Sequence, residues 1–408
     1  MAVQARATQN SQRFGSIDAV RGAAILFVFL SHFTAGYPWS VGSQEAASYL
    51  RTLSMIASPT FVIVSGMVAG FLASTNPGGF TELRVKLFDR GIFLLVVGHL
   101  VLTLSLAPSP ARFAHAYQTS FITDAIALAI IIGPSTVVFA PASRRLMIAA
   151  ILFVVDWCLI VYWHPTGASL LAKLYLVGRI SAAGQLSGFA VFPALPWFAV
   201  YLAGTALGER VGMMYVRGWQ REAHHMLART GGACLLAATV AYAIARWLAG
   251  NSAASLEEMN RLTFLSVYGK FPPGIVYLGF FGGAGLIMLA AIFELDRRKQ
   301  LPILFGQLRK LGRSSLFMFT AQYALYRSVL PHLGLHYTPV WPVIFFASVL
   351  LLTVFAGVWD AYSGNQYLTV GMTALWMRFK STGPKTIGSG LYIPGLSIPR
   401  RSIPKTLR

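Results

Sequence analysis

Ten windows of roughly twenty apolar residues, each bounded by turn residues or charges, constrain this chain more than any other feature. They fall at 18–38, 53–74, 88–107, 120–140, 146–163, 188–208, 231–250, 273–294, 314–334 and 340–363. Inside hydrocarbon a backbone N–H or C=O finds no water, so each window must satisfy its own polar groups as a helix. The fold class expected is all-α: a polytopic integral membrane protein of about ten transmembrane helices with both termini cytoplasmic. The moderately apolar stretch 170–185 reads as an interfacial or re-entrant segment, or as an eleventh span. With 56% hydrophobic and 11% charged residues, against about 25% charged in soluble domains, a soluble enzyme is excluded.

The net charge of +20 would suggest nucleic acid in a soluble chain, so the positions of the cations decide its meaning. With a cytoplasmic N-terminus, 24 of the 33 Lys and Arg residues fall on the cytoplasmic side, among them six between Arg297 and Arg313. Six, Arg51, Arg112, Lys173, Arg179, Arg261 and Lys270, fall opposite. This asymmetry is a topology signal, and no nucleic-acid partner is expected. The first apolar run is too long for a signal-peptide core and lacks a small-residue cleavage site, so it reads as a retained span. Short loops suit a bacterial inner membrane. The expected organisation is a cytoplasmic segment 1–15, a transmembrane domain 16–365, and an amphipathic, basic, partly disordered cytoplasmic tail 366–408 in contact with membrane lipids.

Within the first window, SIDAVRGAAILFVFLSHFTAG, Arg21 and His32 stand eleven residues apart. At about 100° per residue this is three turns plus about 20°, so both side chains project from nearly one face, about 16 Å apart. An ionisable group in a spanning helix is costly and by default functional. Two readings stand for each: Arg21 as a snorkelling anchor paired with Asp18 or as a functional residue, and His32 as a packing histidine or a reactive one. On this topology His99, Asp124, Asp156, Arg246 and Arg327 join His32 in the half of the membrane away from the cytoplasm, which gives a candidate polar cavity open to that side. Asp360 reads as structural.

Gly66 with Gly70, Gly204 with Gly208 and Gly279 with Gly283 have the GxxxG spacing of close helix approach. Pro193 and Pro196 are expected to break the start of the sixth span and free backbone groups. Cys158 and Cys234 lie in apolar runs without metal-ligand spacing, so no metal is expected. Hydrolase, metalloprotease, Walker and dinucleotide signatures are absent.

The SIDAVRGAAILFVFLSH segment resembles the opening of the transmembrane acyltransferases, and Arg21 and His32 match the R-x10-H pattern of acyltransferase family 3. SPTFVIVSG (58–66) is similar to a PxFxxxSG second helix. FPALPWFAVYLAGTALGE (192–209) and KFPPGIVYL (270–278) resemble elements of the heparan-α-glucosaminide N-acetyltransferase catalytic-domain family, and LGRSSLFMFTAQYALYRSVL (311–330) is similar to the helix that closes its domain. These matches run in the family's order, with one departure: Gln322 stands where that branch commonly has His.

The resemblance implies an acyltransferase that takes an acetyl or other small acyl group from cytoplasmic acyl-CoA to a hydroxyl or amine of a carbohydrate or lipid-linked sugar on the opposite, periplasmic face. His32, Asp156 and His99 are the candidate catalytic residues, with His32 as general base or acyl carrier. Arg21, Ser65 and Arg327 are the candidate donor-binding residues, and the basic residues between 297 and 313 either attract the polyanionic CoA or set topology. A different class, a secondary transporter or exporter using intramembrane titratable groups, is the alternative.

Overall fold

The computed structural model describes residues 2–39, 43–106, 110–178, 192–248, 250, 265, 267, 269–333, 340–362, 364, 365 and 371–381. Each of the ten expected windows lies mainly in helix. They correspond to α1 (Ala2–Gly36), α2 with α3 (Gln44–Ser54, Ala57–Thr75), α4 with α5 (Phe80–Phe93, His99–Leu106), then, beyond the short α6 (Pro110–Tyr117), α7 (Ile122–Phe139) and α8 (Ala142–Tyr162). After the short α9 (Ser169–Val177) come α10 (Ala194–Val216), α11 (Gln220–Leu248) and α12 (Ile275–Arg297). An amphipathic α13 (Pro302–Arg313) leads into α14 (Ser315–Tyr323), α15 (Trp341–Ala361) and a final α16 (Met372–Ser381). Among the described residues eight helical stretches are long and apolar enough to cross a membrane, and no strand is present. The chain is an all-α polytopic membrane protein.

Burial separates centre from rim. The most apolar windows of α1, α2–α3 and α12 are 56%, 67% and 56% buried, while those of α8, α11 and α15 are only 17% buried and form the rim of the bundle. The centre is held by close backbone approach, since lipid tails provide no hydrophobic drive between helices. A methyl on Gly66 or Gly70 of α3 would strike the carbonyl oxygens of Tyr201 and Thr205, and one on Gly204 or Gly208 of α10 would strike those of Ile63 and Met67. Both GxxxG pairs therefore face each other. Gly22 and Gly312 serve the same way where α1 meets α13, against the carbonyls of Leu308 and Asp18. Beside the α3–α10 crossing, buried Arg145 of α8 pairs with Glu209 and donates from Nε to the Ala140 carbonyl at 3.1 Å, so this expected topology marker is also a bolt between α8 and α10.

Some expectations change. The basic stretch 297–313 is mostly helix, and four of its cations are engaged: Arg297 and Arg298 on Glu294, Arg309 on Asp296 and Arg313 on Asp360. Within 170–185, α9 is too short to span and ends at Gly178, whose φ of +83° suits only a residue without Cβ. Lys173 of α9 is buried and donates to the carbonyls of Ile160 and Trp163, closing the end of α8. Pro193 and Pro196 begin α10 instead of breaking it, because in a first turn no helical N–H is lost. The helix of the first span, α1, begins at Ala2, and its part long and apolar enough to cross a membrane is Gly15–Gly36. The start of the expected tail is α16, tied to α4 where Asp89 accepts from the Thr373 amide and hydroxyl, both at 3.0 Å. The tail beyond 381, residues 179–185 and the expected far-side cations Arg179 and Arg261 lie outside the described residues.

Leucine at Gly70 forces two backbones apart and is expected to cost at least about 1–3 kcal/mol, seen as a lower melting midpoint in detergent and loss of monodisperse protein. Gly306 of α13 has open space around it, so Gly306→Ala should hold or raise that midpoint, by about 0.5–1 kcal/mol of helix stability. An unchanged melt for Gly70→Leu would contradict the crossing.

Candidate functional site

Two cavities lie back to back in the centre of the bundle. One, of about 180 Å³, contains His32 on its wall, and the other, of about 160 Å³, contains Arg21. Phe61, Thr123 and Phe319 line both. The phenyl rings of Phe61 and Phe319 sit 5.6 Å apart, so the partition between the cavities is chiefly aromatic.

Helical periodicity explains why the same helices serve both cavities. On α3, Ser58 lines the first cavity, Phe61 lines both, and Ser65 and Val68 line the second. On α14 and its continuation, Ser315 belongs to the Arg21 side, Phe319 to both, and Tyr323 and Arg327 to the His32 side, at successive intervals of four. A π-turn over Ala324–Val329 widens the helix where Arg327 enters. On α1, three turns carry the inward face from Arg21 to Ser31 and His32.

Arg21 donates from Nη2 to Ser315 Oγ at 2.6 Å and stands 3.7 Å from Asp18, while Arg90 and Ser65 share its cavity. This end of the bundle is rich in donors. In the other cavity the His32 ring meets Tyr323 edge-on, with centroids 4.5 Å apart, and neither of its nitrogens has a hydrogen-bond partner among the described residues. An imidazole so placed keeps its lone pair for a ligand.

His99 and Asp156 are not on either cavity wall. His99 sits behind Phe121, with Nδ1 2.9 Å from Asp124 Oδ2 and Nε2 2.9 Å from the Tyr117 carbonyl. Both nitrogens are occupied by these neighbours, which hold the ring behind the wall instead of presenting it to a cavity. Asp124 also accepts from the Phe121 amide at 2.7 Å and so caps α7. Asp156 is buried on α8 with Oδ1 unpartnered, away from both cavities. Arg327 shares a cavity with His32 and not with Arg21 and Ser65, so the three candidate donor-binding residues do not form one group. Gln322 is fully buried and donates to the Phe319 carbonyl at 3.1 Å, behind the wall its neighbours form.

Sequence reasoning gave no site role to Arg90, counted among the cytoplasmic cations, or to Lys270, counted opposite and quoted as the first residue of KFPPGIVYL, and it missed the shared aromatic wall. Lys270, in the link before α12, holds its ammonium 5.2 Å from the Phe192 ring centroid and 5.4 Å from that of Phe271. Burial pushes this ammonium down to about 8, which leaves it charged at neutral pH. The Lys-Phe-Pro-Pro motif around it was the available signal.

No curated protein matches the chain. The catalytic region of heparan-alpha-glucosaminide N-acetyltransferase, as a family, matches residues 13–238, more than half of the chain and including α1 from residue 13 on, α3, the α7 wall and α10. With a central bundle that brings His32 and Arg21 onto adjoining cavities, the chain belongs to the heparan-α-glucosaminide N-acetyltransferase catalytic-domain family, a family of membrane acetyltransferases that use acetyl-CoA.

Proposed function

We propose that this protein transfers an acetyl group from acetyl-CoA, taken up at the Arg21 cavity from the cytoplasm, to a hydroxyl or amine of a sugar acceptor in the His32 cavity on the opposite face. The single observation that carries this reading is the pair of cavities back to back, with a donor-rich wall in one and a histidine with free nitrogens in the other. The orientation rests on the excess of Lys and Arg at the Arg21 end.

Arg21 and Arg90 suit phosphate oxygens or the amide carbonyls of the pantetheine arm. The arm's thioester end reaches the acceptor only between Phe61 and Phe319, whose side chains must turn aside to admit it. His32 then acts as general base. The acceptor proton moves to an imidazole nitrogen as its oxygen or nitrogen attacks the thioester carbon. A C–O or C–N bond forms, the C–S bond breaks, and the imidazolium returns its proton to the departing CoA thiolate. His99 holds the wall behind this chemistry, and Asp156 has no part in it.

The deciding experiment is CoA release from acetyl-CoA by purified protein in nanodiscs with a sugar acceptor. His32→Ala should lower turnover by about 10²–10⁴-fold with an unchanged melting midpoint, and retained turnover removes His32 from this role. Arg21→Gln should raise the KM for acetyl-CoA by about tenfold, whereas an unaltered KM would place the donor elsewhere. Phe319→Trp fills the partition and should depress kcat, and full activity in that variant would mean that the arm takes another route. Proton-coupled solute uptake without any CoA release would replace this reading with transport.

A further inference from the structure

The chain is careful with its inward cations. Arg21 stands beside Asp18, Arg145 pairs with Glu209, Arg309 with Asp296, and buried Lys173 donates to two carbonyl oxygens. Lys270 and Arg327 depart from this pattern. Both line the His32 cavity, and neither has a carboxylate or hydrogen-bond partner among the described residues. Among the described residues no Asp or Glu lines that cavity; its other polar wall groups are mainly hydroxyls, including Ser31, Ser58, Thr123 and Tyr323. Asp124, the acid behind the Phe121 side of the wall, is not on the cavity wall, and its Oδ2 is engaged by His99 and by the Phe121 amide. The positive charges of Lys270 and Arg327 both reach His32.

Two cations without a carboxylate partner among the described residues, Lys270 in the wall and Arg327 at the mouth, face one half-closed, partly apolar space with a set of hydroxyls and attract a counter-charge, most strongly at Lys270, where less water screens it. From this arrangement we infer that the ligand of the His32 cavity is an anionic sugar, one whose carboxylate or phosphate is held by Lys270 and Arg327 while a neighbouring hydroxyl or amine meets His32. As an identification of the acceptor, this rests on the transferase reading; as a binding site, it stands on the cavity alone. Arg327 stands one helical step of four from Tyr323, whose ring touches His32. An oxyanion at Arg327 therefore sets the rest of a sugar ring towards the imidazole. The phenyl faces of Phe192 and Phe271 hold the Lys270 ammonium in place without neutralising it.

The test is direct binding in nanodiscs of uncharged lipid, in phosphate-free buffer and without acyl-CoA, using methyl glucuronide, glucose 1-phosphate, methyl glucoside and inorganic phosphate as probes. At least one of the two anionic sugars should bind at least about tenfold tighter than methyl glucoside, and Arg327→Gln and Lys270→Gln should each remove about tenfold of that preference. Tight binding of the glucuronide alone assigns a uronate, and of glucose 1-phosphate alone a sugar phosphate such as a lipid-linked one. Arg327 is exposed at the cavity mouth, so its replacement leaves the packed core intact, and Arg327→Lys should restore part of the preference. Equal binding of methyl glucoside, a preference that survives both Gln variants, or inorganic phosphate binding as tightly as glucose 1-phosphate overturns the inference. Protein that binds the anionic sugars and releases no CoA keeps this site and loses the transferase reading.

Discussion

A charged or titratable side chain within hydrocarbon is tolerated only where it faces protein or water, and the placement of α1 follows from that constraint. Arg21 and His32 lie on one face of one helix, so that face has to be turned inward along its whole length. α1 is therefore central, and its neighbours must supply polar surroundings at two depths without opening the space between. The resulting order is a donor-rich cavity, an aromatic partition and a hydroxyl-lined cavity stacked along the helix.

Close packing on the far side of α3 stabilises this arrangement. Gly66 and Gly70 look towards α10, whereas Phe61, Ser65 and Val68 look towards the cavities. One helix thus has a packing face without side chains and a functional face with them. The glycines let α10 approach so closely that α3 has a single seat, and that fixes where Phe61 meets Phe319. The Arg145–Glu209 pair adds a polar clamp to the same crossing, where removing one partner would leave the other charge without compensation.

The helices were legible because hydrocarbon leaves one solution for an apolar window of this length. Arg21, His32 and Ser65 could be singled out because charge, spacing and small size are visible in a string of letters. The division of the candidate residues between two cavities was not legible. Depth in the membrane grouped His99, Asp156 and Arg327 with His32, yet depth says nothing about rotation about a helix axis. His99 is turned to Asp124 and Tyr117, and Asp156 is on a helix at the rim. Lys270 was hidden for a different reason. A lone lysine before a span looks like any topology marker until Phe192, from a segment about eighty residues earlier, is seen beside it.

The partition also bears on how one site can work between two aqueous sides. A continuous polar channel would let water and ions follow the substrate, and water would compete with the acceptor for the thioester. In the proposed transfer, two phenyl rings and a threonine would form a barrier that a flexible chain parts and that closes when the chain leaves, since the rings would regain their mutual contact. No titratable group is among the three shared wall residues, Phe61, Thr123 and Phe319. In the proposed transfer, a proton taken by His32 would therefore have no relay across the partition through that wall, and the nearest acceptor of matching chemistry would be the thiolate created in the same event. Group transfer between the cavities, with the proton returned on the side where it was taken, fits this wall better than proton-coupled transport, which needs titratable groups in sequence along the path.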